Sequence, residues 1–100
     1  MLVHAVYFWL KPGLSAPQRA HFRAEVEKLA AIKTIGTIHV GAPAKVPERA
    51  VTERTFDVAL TLHFRDAAAH DAYQVDPIHL AFVERNQASW VRVQVFDSED

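Results

Sequence analysis

The sequence has 100 residues, half of them hydrophobic and 23% charged, with a formal net charge of −1 at pH 7. This length and composition are typical of one domain spanning residues 1–100. The near-neutral charge argues against a nucleic-acid partner. The absence of cysteine excludes a disulfide scaffold, a thiolate metal site and a cysteine nucleophile. No apolar run reaches the roughly 18 residues of a membrane span, so we expect a cytoplasmic protein without a membrane partner.

The first part of the sequence predicts a strand, a helix and a second strand. Residues 2–10 (LVHAVYFWL) are β-branched and aromatic, which favours a strand, and both of its faces are apolar. Residues 15–18 (SAPQ) have the capping-box pattern and predict the start of a helix that ends near residues 31–33. Residues 35–40 alternate loosely and predict the second strand.

The second part predicts a loop, a strand, two short helices and a last strand. Residues 44–54 are polar and predict an exposed loop. Residues 55–64 alternate cleanly, with the even positions from Phe56 onward on the core face. A helix is predicted from Asp66 to about Tyr73 and another from Pro77. The last predicted strand covers residues 90–97.

The predicted order is βαββαβ, which indicates an α+β, ferredoxin-like sandwich. This fold has a four-stranded antiparallel sheet with helices on one face. Tyr7 and Trp9 lie on the second face of the first strand and require another apolar surface against them. We therefore expect a homodimer whose sheets pack together.

Several motifs resemble those of a known family. His4 lies in the opening strand, Val40-Gly41 closes the second, and residues 56–58 (FDV) open the third. Residues 73–82 (YQVDPIHLAF) match the pattern Y-x-x-[HD]-P-x-H-x-x-F. Over the whole chain the sequence resembles the stress-responsive dimeric α/β-barrel (Dabb) family. The resemblance implies a ferredoxin-like monomer and a dimeric α/β barrel with the sheets face to face, but many members have no assigned reaction.

The nearest characterised chemistry in that family resembles that of olivetolic acid cyclase, which performs an aldol condensation on a linear tetraketide thioester. The resemblance implies that His79 acts as the base, that Asp97 orients it and that Tyr73 polarises the substrate. The N-terminal histidine of the cyclase matches His4, which we expect to polarise the substrate together with Tyr73. The resemblance also implies a substrate pocket between sheet and helices lined by Val6, Phe8, Phe22, Leu60, Phe82 and Trp90.

The sequence departs from that cyclase at two pocket positions. Val26 stands where the cyclase has a tyrosine, and Arg23 where it has a phenylalanine. These differences argue against an identical substrate.

Side-chain direction supports a site independently of the resemblance. His4 shares the inward face of the first strand with Val6 and Phe8. His79 has apolar residues three and four positions later and so faces inward from its helix. Histidine suits general-base chemistry because its ordinary pKa is about 6.5. Each of these residues could instead have a purely structural role, such as packing in the core or forming a hydrogen bond to a backbone carbonyl.

The histidines also raise the possibility of a metal site. His70, Asp71, Asp76 and His79 lie close in sequence but lack the i, i+4 histidine pair of a zinc-binding helix. Asp76 is better explained as the cap of the helix that begins at Pro77. We therefore expect no metal and no cofactor.

Two functions of different class remain open. The first is a small-molecule-binding protein of the stress-responsive type without chemistry of its own. The alternative is a cofactor-free enzyme in which His79 is the general base for aldol cyclisation, lyase or isomerase chemistry on a β-keto or polyketide-like substrate.

Overall fold

A computed structural model describes residues 1–100 as one four-stranded antiparallel sheet with three α-helices. The elements are β1 (Leu2–Leu10), α1 (Ala16–Glu27), β2 (Thr37–Gly41), β3 (Val58–Phe64), α2 (Ala67–Gln74), α3 (Pro77–Asn86) and β4 (Trp90–Glu99). The strand order in the sheet is β2-β3-β1-β4. This confirms the predicted ferredoxin-like βαββαβ fold. None of the helices has the length and apolar character required to span a membrane.

The core lies between the helices and one face of the sheet. Residues of β1 alternate between buried and half-buried, because only their even-numbered side chains face the helices. Val6 pairs with Leu60 of β3 and with Val95 of β4, and paired residues of antiparallel strands share a face. Phe22 of α1 and Phe82 of α3 complete this layer, and both are nearly inaccessible to solvent.

Local side-chain caps define the helix starts, as predicted. Ser15 Oγ accepts the Gln18 amide, and Gln18 Oε1 accepts the Ser15 amide, so the capping box is complete. The carboxylates of Asp66 and Asp76 accept backbone amides in the first turns of α2 and α3. These contacts join residues two or three positions apart, which explains why the local sequence pattern predicts them well.

The start of β3 differs from the prediction. The strand begins three residues later than expected. The side chain of Asp57 instead accepts hydrogen bonds from the Leu10 backbone amide (2.7 Å) and from the Arg19 guanidinium (2.9 Å). The prediction that Phe56 faces the core is wrong. Its ring packs against Tyr7 on the open face of the sheet, with ring centroids 4.9 Å apart.

Other element boundaries shift by a few residues. The α-helix α1 ends at Glu27 and continues as a 3-10 turn over Lys28–Ala31, and β4 is two residues longer than predicted. The strand β2 begins after Gly36, whose amide donates to the His63 carbonyl (2.8 Å). A Cβ at Gly36 would lie 2.9 Å from that oxygen, so the close approach requires glycine.

A buried carboxylate joins α1 to α3. Glu25 is 4% exposed and accepts hydrogen bonds from Arg85 (2.8 Å), Lys28 (3.0 Å) and Asn86 (3.2 Å). The bond from the Arg85 guanidinium, followed by those from Lys28 and Asn86, lowers the pKa of Glu25 to about 2. The ionised carboxylate is therefore part of the folded structure.

We predict that Glu25→Gln lowers the free energy of unfolding at pH 7 by about 1–3 kcal/mol, since the charged acceptor of three donors is lost. The pKa of Glu25 is lower in the folded state, so its contribution is present above about pH 4.5 and disappears as the pH falls towards 2. Urea denaturation at pH 7 and at pH 3 measures both effects. Glu27→Gln, on the exposed side of α1, is the matched control. A difference between wild type and Glu25→Gln that is unchanged at pH 3 would contradict this account.

Candidate functional site

A buried histidine and a carboxylate form the centre of the site. His4 of β1 is directly opposite Asp97 of β4, so the strand register puts both side chains on the helix face. His4 Nδ1 lies 2.5 Å from Asp97 Oδ1. An ionised carboxylate only accepts hydrogen bonds, so Nδ1 carries the proton and Nε2 is left with its lone pair. His4 is 4% exposed, while the side chain of Asp97 is 45% exposed.

Two further predicted residues approach His4 from the helices. Tyr73 is the buried residue of α2, with its ring centroid 5.8 Å from that of His4. His79 of α3 is half-buried, with its ring centroid 4.5 Å from that of Tyr73. Its Nδ1 lies 3.1 Å from the Gln74 carbonyl oxygen. That carbonyl can only accept, so the Nε2 of a neutral His79 also has a free lone pair.

The expected pairing of His79 with Asp97 is wrong. Asp97 contacts His4, its direct cross-strand neighbour, and His79 bonds the backbone between α2 and α3. The physical reason is the strand order: β4 pairs with β1, which brings the carboxylate to the strand histidine rather than to the helix histidine. Both histidines nevertheless border the same cavity.

A cavity of about 170 Å³ lies between the sheet and the helices. His4, Tyr73 and His79 line it, and its remaining walls are mainly apolar. Val93 and Val95 of the edge strand β4 line it too and are about 40% exposed, so the cavity opens on that side. Five of the six residues predicted to bind substrate line the cavity: Val6, Phe8, Leu60, Phe82 and Trp90.

Phe22, the sixth residue of that set, lies in the core behind the cavity wall. Its ring packs edge-on against that of Phe8, with centroids 5.2 Å apart. The two positions that depart from the cyclase also lie away from the cavity lining. Val26 is fully buried in the core, and Arg23 donates to the Val40 carbonyl (3.3 Å).

The sequence patterns did not indicate that His70 lies beside His4. The two ring centroids are 5.0 Å apart, and the side chain of His70 is 15% exposed. Its Nε2 accepts from the Gln74 amide (3.1 Å), while Nδ1 lies 3.2 Å from Asp71 Oδ1. Since His70 precedes Tyr73 by three residues on α2, the i, i+3 spacing was the signal that could have identified it.

Burial sets the protonation states of the two helix residues. Burial raises the pKa of the Tyr73 hydroxyl, which therefore remains a proton donor. Burial also lowers the pKa of His79, more than the hydrogen bond to the Gln74 carbonyl raises it. His79 is consequently neutral at pH 7. The site thus combines two hydrogen-bond acceptors on imidazole rings with one phenolic donor.

A larger hollow of about 660 Å³ lies on the open face of the sheet, away from His4. Arg92 stacks over the ring of Trp9 there, with its guanidinium carbon 4.1 Å from the ring centroid. Tyr7, Phe56 and Phe96 form the rest of its apolar surface. Glu53 and Arg92 also border this hollow, but it is a broad and open sheet face. In the smaller cavity the titratable side chains converge from three elements, so the cavity at His4 is the better candidate site.

Comparison with known proteins supports the fold assignment over the whole chain. A Dabb-family protein from Mesorhizobium loti with a ferredoxin-like fold is 22% identical and has a TM-score of 0.80, with 99% of this chain and 95% of that chain covered. A hydroxynitrile lyase from Passiflora edulis is 21% identical, with a TM-score of 0.79 and coverage of 97% and 90%.

A dimeric ferredoxin-like protein of unknown function from Jannaschia is 27% identical, with a TM-score of 0.74 and coverage of 99% and 98%. The chain has no significant match among curated proteins. The model of the stress-responsive A/B barrel domain matches residues 2–100. The chain therefore belongs to the stress-responsive A/B barrel (Dabb) domain family.

Proposed function

We propose that the protein binds a small organic molecule in the cavity at His4. The observation that carries this proposal is a mainly apolar cavity bordered by polar side chains from three elements: His4, Tyr73 with Gln74, and His79. Apolar walls with a few convergent polar groups are typical of small-molecule sites.

The size and polarity of the cavity indicate the class of ligand. Its volume of about 170 Å³ is smaller than the roughly 300–1,000 Å³ of sites for drug-sized ligands. The Tyr73 hydroxyl can donate to a carbonyl oxygen, while the free imidazole nitrogens of His4 and His79 can accept from a hydroxyl. These features favour a compact ketone, aldehyde, keto acid or hydroxy compound over a linear tetraketide thioester.

We predict that Val95→Trp abolishes ligand binding by filling the mouth of the cavity. Val95 is 41% exposed, so the larger side chain causes little strain in the core. The assay is a thermal-shift screen with short ketones, aldehydes, keto acids and hydroxy acids. A true ligand raises the Tm of the wild type in a concentration-dependent manner.

The matched control is Val91→Trp, an exposed residue of β4 that does not line the cavity, and it should respond like the wild type. A compound that raises the Tm of Val95→Trp as much as that of the wild type would bind outside the cavity. The absence of any hit across these compound classes would overturn the proposal.

A second candidate function, proton-transfer catalysis, is favoured by the bond between His4 and Asp97. A carboxylate on one imidazole nitrogen fixes the tautomer and stabilises the cation that forms when the other nitrogen takes a proton. His4 is therefore a better base than His79, whose pKa is lowered by burial and whose partner is an uncharged carbonyl. The lyase from Passiflora edulis is consistent with such chemistry on this fold.

The reaction step would begin with a substrate whose carbonyl oxygen accepts a hydrogen bond from Tyr73. His4 Nε2 removes a proton from the carbon next to the carbonyl, and the electron pair of that C–H bond forms an enolate. Asp97 stabilises the resulting imidazolium. The Tyr73 hydroxyl stabilises the enolate oxygen by donating a hydrogen bond to it. Its raised pKa keeps the proton on Tyr73. Return of the proton completes an exchange or isomerisation.

We predict that the wild type exchanges the α-protons of a bound ketone with deuterium from D₂O, as measured by ¹H NMR. His4→Gln should reduce the exchange rate by about 10²-fold or more, since a positioned base contributes about that factor. His79→Gln should retain most of the rate. If His79→Gln abolishes exchange and His4→Gln does not, the assignment of the base is wrong. Binding without exchange would leave only the ligand-binding function.

We further propose that a second copy of the chain covers the open face of the sheet. The aromatic side chains of this face include Phe96, which is 61% exposed, and a similar structure is described as dimeric. An exposed aromatic cluster of this kind is characteristic of an interface.

We predict that Phe96→Glu converts a homodimer to a monomer, because each copy would bring a charge into an apolar interface. Sedimentation equilibrium of the wild type should give twice the chain mass of 11.2 kDa, and that of the variant should give the chain mass. Val75→Glu alters an apolar residue of comparable exposure at the C-cap of α2, on the helix side, and this variant should remain dimeric. A monomeric wild type at micromolar concentration would disprove the interface.

A further inference from the structure

A cluster of two imidazoles and one carboxylate includes His4, which also lines the cavity. One ligand atom each from His4, His70 and Asp97 lies within 4.8 Å of the other two. The three residues come from β1, α2 and β4, so the tertiary fold assembles the cluster. The sequence places only Asp71, Asp76 and His79 near His70, whereas the fold brings His4 and Asp97 beside it, so the expectation of no metal did not include this cluster.

The donor set matches a particular class of ion. Two imidazole nitrogens and one carboxylate oxygen suit zinc and its first-row neighbours, whereas calcium and magnesium prefer oxygen ligands alone. Three protein ligands leave a coordination position for water or a ligand. We propose that His4, His70 and Asp97 form a binding site for a divalent transition-metal ion of the zinc class.

The surroundings of His70 support its use as a ligand. Asp71 Oδ1 lies 3.2 Å from Nδ1, on the opposite side of the ring from Nε2. A carboxylate in this position holds the tautomer that presents Nε2 and increases its basicity. Only the side-chain amide of Gln74 contacts Nε2, and rotation of that flexible side chain frees the nitrogen.

The adjustment required of the other two ligands is small. The hydrogen bond between His4 Nδ1 and Asp97 Oδ1 is 2.5 Å long. Two ligand atoms bound to one tetrahedral ion at about 2.0–2.1 Å lie roughly 3.3 Å from each other. The ion would take the place of the shared proton, so binding releases a proton. Asp97 can make the movement, because its side chain is 45% exposed and its strand is at the edge of the sheet.

The test is isothermal titration of tag-free, EDTA-treated protein with Zn²⁺, together with the visible absorption of bound Co²⁺. We expect one ion per chain and a concentration-dependent rise in Tm. His70→Ala should weaken Zn²⁺ binding by at least about tenfold, and Asp71→Asn by about tenfold through His70. His21→Ala removes an exposed histidine of α1 and should bind as the wild type does.

Circular dichroism establishes that each variant is folded, and His70→Gln replaces His70→Ala if the latter is not. Equal affinity of the wild type and the folded His70 variant would overturn the proposal, as would the absence of binding to the wild type. Metal binding is measured directly here, so the result does not depend on whether a substrate or an exchange activity is found.

Discussion

The antiparallel pairing of β1 with both of its neighbours determines where the core and the site lie. Because β1 lies between β3 and β4, its residues from Leu2 to Phe8 have a partner on both sides. This register places the even-numbered residues of β1 and β3 and the odd-numbered residues Val93 and Val95 of β4 under the helices. It also places His4 opposite Asp97, so the same alternation that builds the core sets up the polar centre of the site.

The helices contribute Tyr73 and His79 to the site, and contacts outside the cavity hold these helices in position. The carboxylate of Glu25 binds donors from α3 and from the end of α1, which ties the two helices together over the sheet. The cap formed by Asp76 fixes the start of α3, and His79 lies on the first turn of that helix. The cavity is thus bordered by helices and strands rather than by a loop, which favours a defined ligand geometry.

The features that could be predicted from the sequence are those that arise from neighbouring residues. Capping by Ser15, Asp66 and Asp76 depends on contacts two or three residues apart, and the strand faces follow from alternation. The position of Phe56 could not be predicted, because it depends on the side chain of Asp57 binding the backbone of a distant strand. The partner of Asp97 depends on strand register, which local patterns do not contain.

His4 and Asp97 are 93 positions apart in the chain, so their bond closes one of the longest loops that the sequence allows. Contacts of such high sequence separation form only when the intervening topology is in place. The bond between His4 and Asp97 therefore requires β4 to be paired with β1. Local fraying of the edge strand β4 would separate the carboxylate from the imidazole before the central strands come apart, and the site would be lost at temperatures where most of the sheet persists.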